Sequence, residues 1–243
     1  MSVKKSNAKT NVKLKEALGI LGVLLITFGI IYVILLIPSC GKDKAPHKAK
    51  KEWAKVTDTE TGITYVECPD GYGPTAIGDV VMECADPERE GKTLEFYEIA
   101  YTDTSKFIAL KEAGGYTVYR AEDVAAPNIK SFNTGTAKLY MAGASVPIDY
   151  FYTAEAAGDD AEANGSKYIN MITDAFNGSG VSSATGDWGD KNNYSIWLSS
   201  KEYAGLYYKV EFKIDENGAE YLYDRVTEKL VKAPKALVAR IAA

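Results

Sequence analysis

The 243-residue chain carries 28 Lys plus Arg against 33 Asp plus Glu, one His and three Cys, and 46% of its residues are hydrophobic. Such a composition excludes collagenous, disordered and disulfide-dense classes, and a net charge of −5 gives no footing for nucleic-acid binding. One imidazole and three thiols are also too few soft ligands for a metal centre, so neither a metal nor a cofactor is expected.

The charge is unevenly distributed. Residues 1–16 form a basic leader with Lys4, Lys5, Lys9, Lys13 and Lys15 against Glu16 alone. Residues 17–37 follow without a single charge, and at about 1.5 Å per helical residue they would span roughly 30 Å of hydrocarbon. They are a membrane-helix candidate, with lipid as the expected partner. Residues 38–56 read as a Lys-rich stalk carrying Lys42, Lys44, Lys48, Lys50, Lys51 and Lys55. Beyond it, residues 57–243 hold 17 Lys plus Arg and 30 Asp plus Glu, a net of −13.

Two readings of the apolar run stay open. As an uncleaved signal anchor, it exceeds the apolar core of about 7–15 residues that most secretory signals carry. Alternatively, Ile37, Pro38, Ser39 and Cys40 resemble a bacterial lipoprotein signal, in which a branched apolar residue at −3 and a small one at −1 precede the lipidated cysteine. That resemblance implies lipidation at Cys40. Lysines flank the run on both sides, so the positive-inside rule is nearly tied. A short basic leader favours a cytoplasmic N-terminus and an extracytoplasmic domain.

An oxidising compartment lets thiols pair, and Cys68 and Cys84 each follow an apparent strand, over 63–67 and 80–83, with CPDGYGP beginning the intervening turn region. A disulfide between them is therefore expected. Further strands are predicted over 93–101, 116–120, 137–141 and 146–153, with breaks at Gly114, Gly115 and Gly143. The stretch 155–165 lacks apolar periodicity and marks either a surface loop or a subdomain boundary. A helix is predicted over 166–177, with Ile169, Ile172 and Phe176 on one face and Gly178 at its end.

The strongest alternation spans 206–214, where Leu206, Tyr208, Val210, Phe212 and Ile214 interleave with Tyr207, Lys209, Glu211 and Lys213. Asn217 and Gly218 predict a two-residue type I′ turn into a return strand over 219–224, which places Ile214 opposite Tyr221 and Phe212 opposite Tyr223. A third strand over 229–232 and a terminal helix opened by Pro234 would complete the domain. The fold class expected is α+β: a single membrane helix followed by a β-rich, mainly antiparallel extracytoplasmic domain with few short helices.

Catalytic motifs are missing where they would be diagnostic. The one imidazole, His47, falls in the stalk, which removes the usual base for a Ser or Cys nucleophile. No phosphate-cradling glycine loop and no serine-lysine hydrolase elements occur. Asp160, Glu162 and Asn164 before Gly165 occupy alternate positions like the start of a calcium loop, but Met171 stands where its final carboxylate belongs. Asp187 and Asp190 beside Trp188 form a second oxygen-rich stretch. Neither warrants a metal site, and no catalytic residue is assigned.

Tyrosine is the one compositional excess, with 17 in the chain. Tyr150, Tyr152, Tyr203, Tyr207 and Tyr208, with Trp188 and Trp197, are the aromatics that would suit sugar or protein contacts if exposed, and strand core if not. The expected function is a membrane-anchored, non-catalytic binding or structural module of the cell envelope, with an envelope polymer or protein as partner. An accessory or sensory subunit of a membrane complex and a carboxylate-dependent hydrolase are the alternatives.

Overall fold

The computed structural model describes residues 45–153, 164–178, 182–183 and 194–241. The apolar run 17–37, Cys40, Asp159, Asp160, Glu162, Asp187, Trp188 and Asp190 therefore lie outside the described residues. Among those described, 49% are in strands and 11% in helices, and no helix is long and apolar enough to cross a membrane. The expected α+β class is thus corrected to a mostly-β fold built on a closed barrel.

Eight strands open the fold: β1 (His47–Glu52), β2 (Lys55–Asp58), β3 (Thr64–Glu67), β4 (Tyr72–Pro74), β5 (Ile77–Ala85), β6 (Thr93–Ile99), β7 (Phe107–Glu112) and β8 (Gly115–Ala121). All but β4 close a barrel in the order β1-β2-β3-β8-β7-β6-β5. Its neighbours pair antiparallel, except that β1 meets β5 in parallel through His47 opposite Met82 and Lys48 opposite Glu83. The Lys-rich segment is accordingly a barrel wall from His47 onward. Lys48 and Lys50 point outward with Glu52, and Lys48 pairs with Glu83 on the neighbouring strand. Strand closure asks for paired backbone and one inward side chain in two, and here the half-buried Ala49 packs against the interior. Val56, Tyr65, Met82, Cys84, Phe96, Ile108, Leu110 and Tyr119 fill that interior, so the barrel encloses a packed core.

A second sheet follows from β9 (Thr134–Met141), β10 (Asp149–Tyr152), β11 (Ser182–Ser183), β12 (Tyr194–Ser200), β13 (Leu206–Ile214), β14 (Glu220–Asp224) and β15 (Lys229–Lys232), in the order β10-β9-β12-β13-β14-β15-β11. Strand β4 leaves the barrel to pair with the first half of β13. The inner face of this sheet, carrying Leu139, Ile196, Leu198, Leu206, Tyr208, Val210 and Leu222, shares one core with Phe107, Ala109 and Val118 from the outside of the barrel. Helix α1 (Asn164–Ala175) adds Ile169 and Ile172, and α2 (Lys235–Ile241), opened after Pro234, adds Leu237 and Ile241. Pro46–Ala243 form one compact unit.

The hairpin between β13 and β14 differs from the expected one by a single residue. Gly218 donates to the Asp215 carbonyl at 3.0 Å and Asp215 to the Ala219 carbonyl at 2.9 Å, leaving a three-residue loop with Gly218 at φ +79°. Ile214 therefore faces Glu220 and Phe212 faces Leu222. Two amides, of Asn217 and Ala219, donate to the Asp215 carboxylate and favour this longer turn over the type I′ form. Because side chains alternate with period two, the slip sends Tyr221 and Tyr223 to the outer face and Leu222 inward.

Cys68 and Cys84 are free, buried thiols rather than the expected disulfide. Cys68, just after β3, lies in the core shared by the two sheets and Cys84, on β5, inside the barrel, and β3 and β5 are not neighbours. A bridge needs Cα atoms within about 7 Å, whereas even adjacent strands are about 4.8 Å apart. Burial pushes the Cys68 thiol up to about 12 and raises Cys84 as well. Both should react with a maleimide at least about tenfold more slowly in the native protein than in denaturant, without prior reduction. Mass spectrometry of the alkylated chain reads this, and a requirement for reductant would restore the disulfide.

Asp224, 1% exposed, accepts hydrogen bonds from the Tyr208 hydroxyl at 2.7 Å, the Val226 amide at 3.0 Å and the Thr227 hydroxyl at 2.5 Å. Tyr208→Phe should lower stability by about 1–3 kcal/mol, since it leaves part of a buried acceptor unmatched. Urea unfolding of the detergent-solubilised chain measures it as a lower midpoint at unchanged slope.

Candidate ligand face on the second sheet

The inner face of the second sheet is buried against the barrel, so its alternate residues point outward. On β10 these are Tyr150 and Tyr152; on β9, Lys138 and Tyr140; on β12, Ser195, Trp197 and Ser199; on β13, Tyr207, Lys209, Glu211 and Lys213. Register aligns Tyr150 with Lys138, Lys138 with Trp197, and Trp197 with Lys209. Aromatic and lysine side chains thus alternate across four adjacent strands.

The rings hold one another in place. Trp197 lies flat against Tyr207 with centroids 4.1 Å apart and planes 9° apart, and Tyr140 covers it from the other side at 4.4 Å. The indole Nε1 is shut off from solvent without a hydrogen-bond partner, so ring packing holds this side chain. Tyr207 in turn requires Gly73 beneath it, because a Cβ there would sit 2.1 Å from its ring. Tyr150 and Tyr152 stack at 6.1 Å and 4° and remain 45% and 40% exposed, which leaves the β10 end of the row open to a ligand. Burial, with Asp70 and Tyr140 nearby, raises the Tyr207 phenol above its ordinary value, so the hydroxyl stays a neutral donor.

At the opposite end the face is ionic. Glu211 accepts a hydrogen bond from Arg225 at 2.6 Å and stands 3.2 Å from Lys213 and 3.5 Å from Lys209. Arg225 also pairs with Asp70. Burial opposes the Glu211 charge, and the Arg225, Lys213 and Lys209 cations outweigh it, holding the carboxyl below the usual glutamate range. Lys213 also lies 4.9 Å from the Tyr223 ring centre, a cation over an aromatic face. Lys138 differs from these: among the described residues no ion pair or hydrogen bond engages its ammonium group.

Of the seven aromatics singled out by sequence, the structure brings Tyr150, Tyr152, Trp197 and Tyr207 to this one face. Tyr208 is fully buried and Tyr203 stacks on Phe132 at 5.4 Å in the shared core. Trp188 lies outside the described residues. Tyr140 and Lys138 were not singled out, although the alternation Ala137, Lys138, Leu139, Tyr140 already separates an inward pair from an outward one. His47 sits on β1, its Nδ1 2.8 Å from Asp58 and Nε2 3.6 Å from Glu60. Among the described residues no group of three or more His, Cys, Asp or Glu is arranged to hold a metal ion. Comparison with known proteins gives this face no precedent: no family model matches the chain, and neither a curated protein nor a solved structure does.

The Glu211 network has a pH signature. Its folded pKa lies below the ordinary 4.5, so its stabilisation is complete above about pH 5 and is lost as pH falls through 4.5 towards the folded value. Glu211→Gln should cost about 1–2 kcal/mol at pH 7, less than a fully buried pair because the Arg225 side chain is 34% exposed. Melting curves of the two proteins should draw together as the pH falls below 4.5.

Proposed function

We propose that this chain is a membrane-tethered extracytoplasmic module that binds a cell-envelope component, non-catalytically, through the outer face of its second sheet. The tether is the apolar run 17–37, held either as an uncleaved anchor or through lipid on Cys40. The observation that carries the reading is the row Tyr150, Lys138, Trp197 and Lys209. It sets aromatic rings and ammonium groups side by side, with Tyr150 and Tyr152 exposed at the β10 end and already stacked on each other, so that they need little further ordering to bind.

Five of the described carboxylates hold turns. Asp58, Asp86, Asp103, Asp215 and Asp224 each accept the amide two residues onward and so hold turns between strands. Those positions favour a binding role over a hydrolase. Co-sedimentation of the full-length, detergent-solubilised protein with purified envelope material tests the function. The intact protein should pellet, and Tyr150→Ala combined with Tyr152→Ala should weaken pelleting about tenfold or more without lowering the unfolding midpoint to match. Equal pelleting of the variant would overturn the assignment to this face. Recovery of a single protein at equal amount would transfer it to the accessory-subunit reading.

A further inference from the structure

Ten residues in a row without a charge, Leu139 to Ile148, run through the reversal between β9 and β10. From Met141 to Val146 every one of them is exposed, and so is Ile148. The Ala144 amide donates to the Met141 carbonyl at 3.0 Å and Gly143 sits at φ +76°, where a Cβ would meet nothing within 4 Å, so the turn projects clear of the fold. Of the whole chain 25% is charged, and the β5–β6 reversal alone holds Asp86, Glu88, Arg89, Glu90 and Lys92. A long, exposed, apolar reversal with no charge is suited to surroundings other than water.

We infer that the β9–β10 hairpin dips into the surface of the bilayer that holds the tether, so that the envelope component it binds is lipid; the inference rests on the tethered binding role proposed above. Leading away from the tip, side chains at alternate positions change in the order that a membrane surface does. Val146 is 70% exposed and Ile148 51%, and the phenols of Tyr150 and Tyr152 follow. Two residues advance about 6.8 Å along an extended strand, and interfacial segments bury their apolar residues about 5–10 Å deep. That depth takes in Val146 and Ile148, together with the exposed Met141. Tyr150 is then left at headgroup level, where a ring with a wet hydroxyl end is favoured. Lys138, opposite Tyr150, comes to the level of the lipid phosphates.

The charges around the hairpin permit this approach. Asp149, which borders the apolar stretch, pairs with Arg240 at 2.9 Å. Asp215, Glu216 and Glu220 stand at the same end of the sheet but on the β13–β14 hairpin, three strands or more from β10 and so about 14 Å or more away. The bilayer is therefore met by the β10 corner and not by the whole end of the sheet. Residues 38–44, at most about 25 Å of chain, separate the apolar run from Ala45, and a tether that short lets even a weak contact form.

Photo-crosslinking of the full-length chain, reconstituted into vesicles of phosphatidylcholine and phosphatidylglycerol, tests this. A diazirine amino acid replaces Val146, or Glu90 on the β5–β6 reversal, or Leu25 in the apolar run, and mass spectrometry identifies what each captures. The probe at Val146 should take phospholipid at least about tenfold more than the probe at Glu90. Ala142→Asp combined with Ser145→Asp, both exposed at the tip, should lower that lipid adduct about tenfold at an unchanged urea midpoint. Lipid captured at Leu25, with Val146 no higher than Glu90, overturns the inference and leaves the tether standing. No lipid at either Val146 or Leu25 overturns the tether as well. Capture of a second copy of the chain at Val146 in place of lipid overturns the bilayer as the occupant. Capture of added envelope polymer in place of lipid overturns it too, while upholding the envelope-binding role.

Discussion

Strand β7 is buried on both of its faces, and the arrangement of everything around it follows from that. Ile108 and Leu110 point into the barrel, while Phe107 and Ala109 point out of it into the core shared with the second sheet. A strand in this position cannot shift by one residue without exchanging two cores, so its register is fixed from both sides. The barrel is filled, so it serves as a wall on which the second sheet packs. Once that sheet has committed Leu139, Ile196, Leu198 and Val210 inward, the alternate set of Lys138, Tyr140, Trp197, Tyr207 and Lys209 has nowhere to go but outward.

The two sheets are also joined through backbone. β4 lies between two barrel strands in sequence and pairs with β13 in space. It brings Tyr72 into edge contact with Tyr208 at 5.4 Å, and Tyr72 donates its hydroxyl to the Pro127 carbonyl. It also supplies Gly73, the bare spot on which Tyr207 lies. The flat stack on the outer face of the second sheet therefore depends on a segment that left the barrel, which ties the geometry of that face to the joint between the two sheets.

Part of the acidity of the domain belongs to its turns, through Asp58, Asp86, Asp103, Asp215 and Asp224. A fold of short antiparallel strands needs many reversals, and a carboxylate accepting the second amide onward is a compact way to hold each one.

Several elements were legible in the residues alone. Strong alternation marked β13 and its bounds, Lys229–Lys232 was read as a strand, and the apolar spacing of Ile169, Ile172 and Phe176 marked a helix where α1 lies. These features depend on neighbours within one segment, which periodicity records. The barrel was not legible: β1 reads as a string of lysines, and its place in the wall comes from backbone pairing with β2 and β5. β7 was hidden for the opposite reason, since burial on both faces erases alternation. The hairpin register turned on one carboxylate, Asp215, selecting a three-residue loop over the two-residue turn that Asn217 and Gly218 suggest by themselves. Sequence thus determined which residue types were present, an excess of tyrosine and a set of lysines. Which of them share a face was decided only when distant strands paired, because the register between β10, β9, β12 and β13 is a relation between segments up to about sixty residues apart, set by the core they jointly bury.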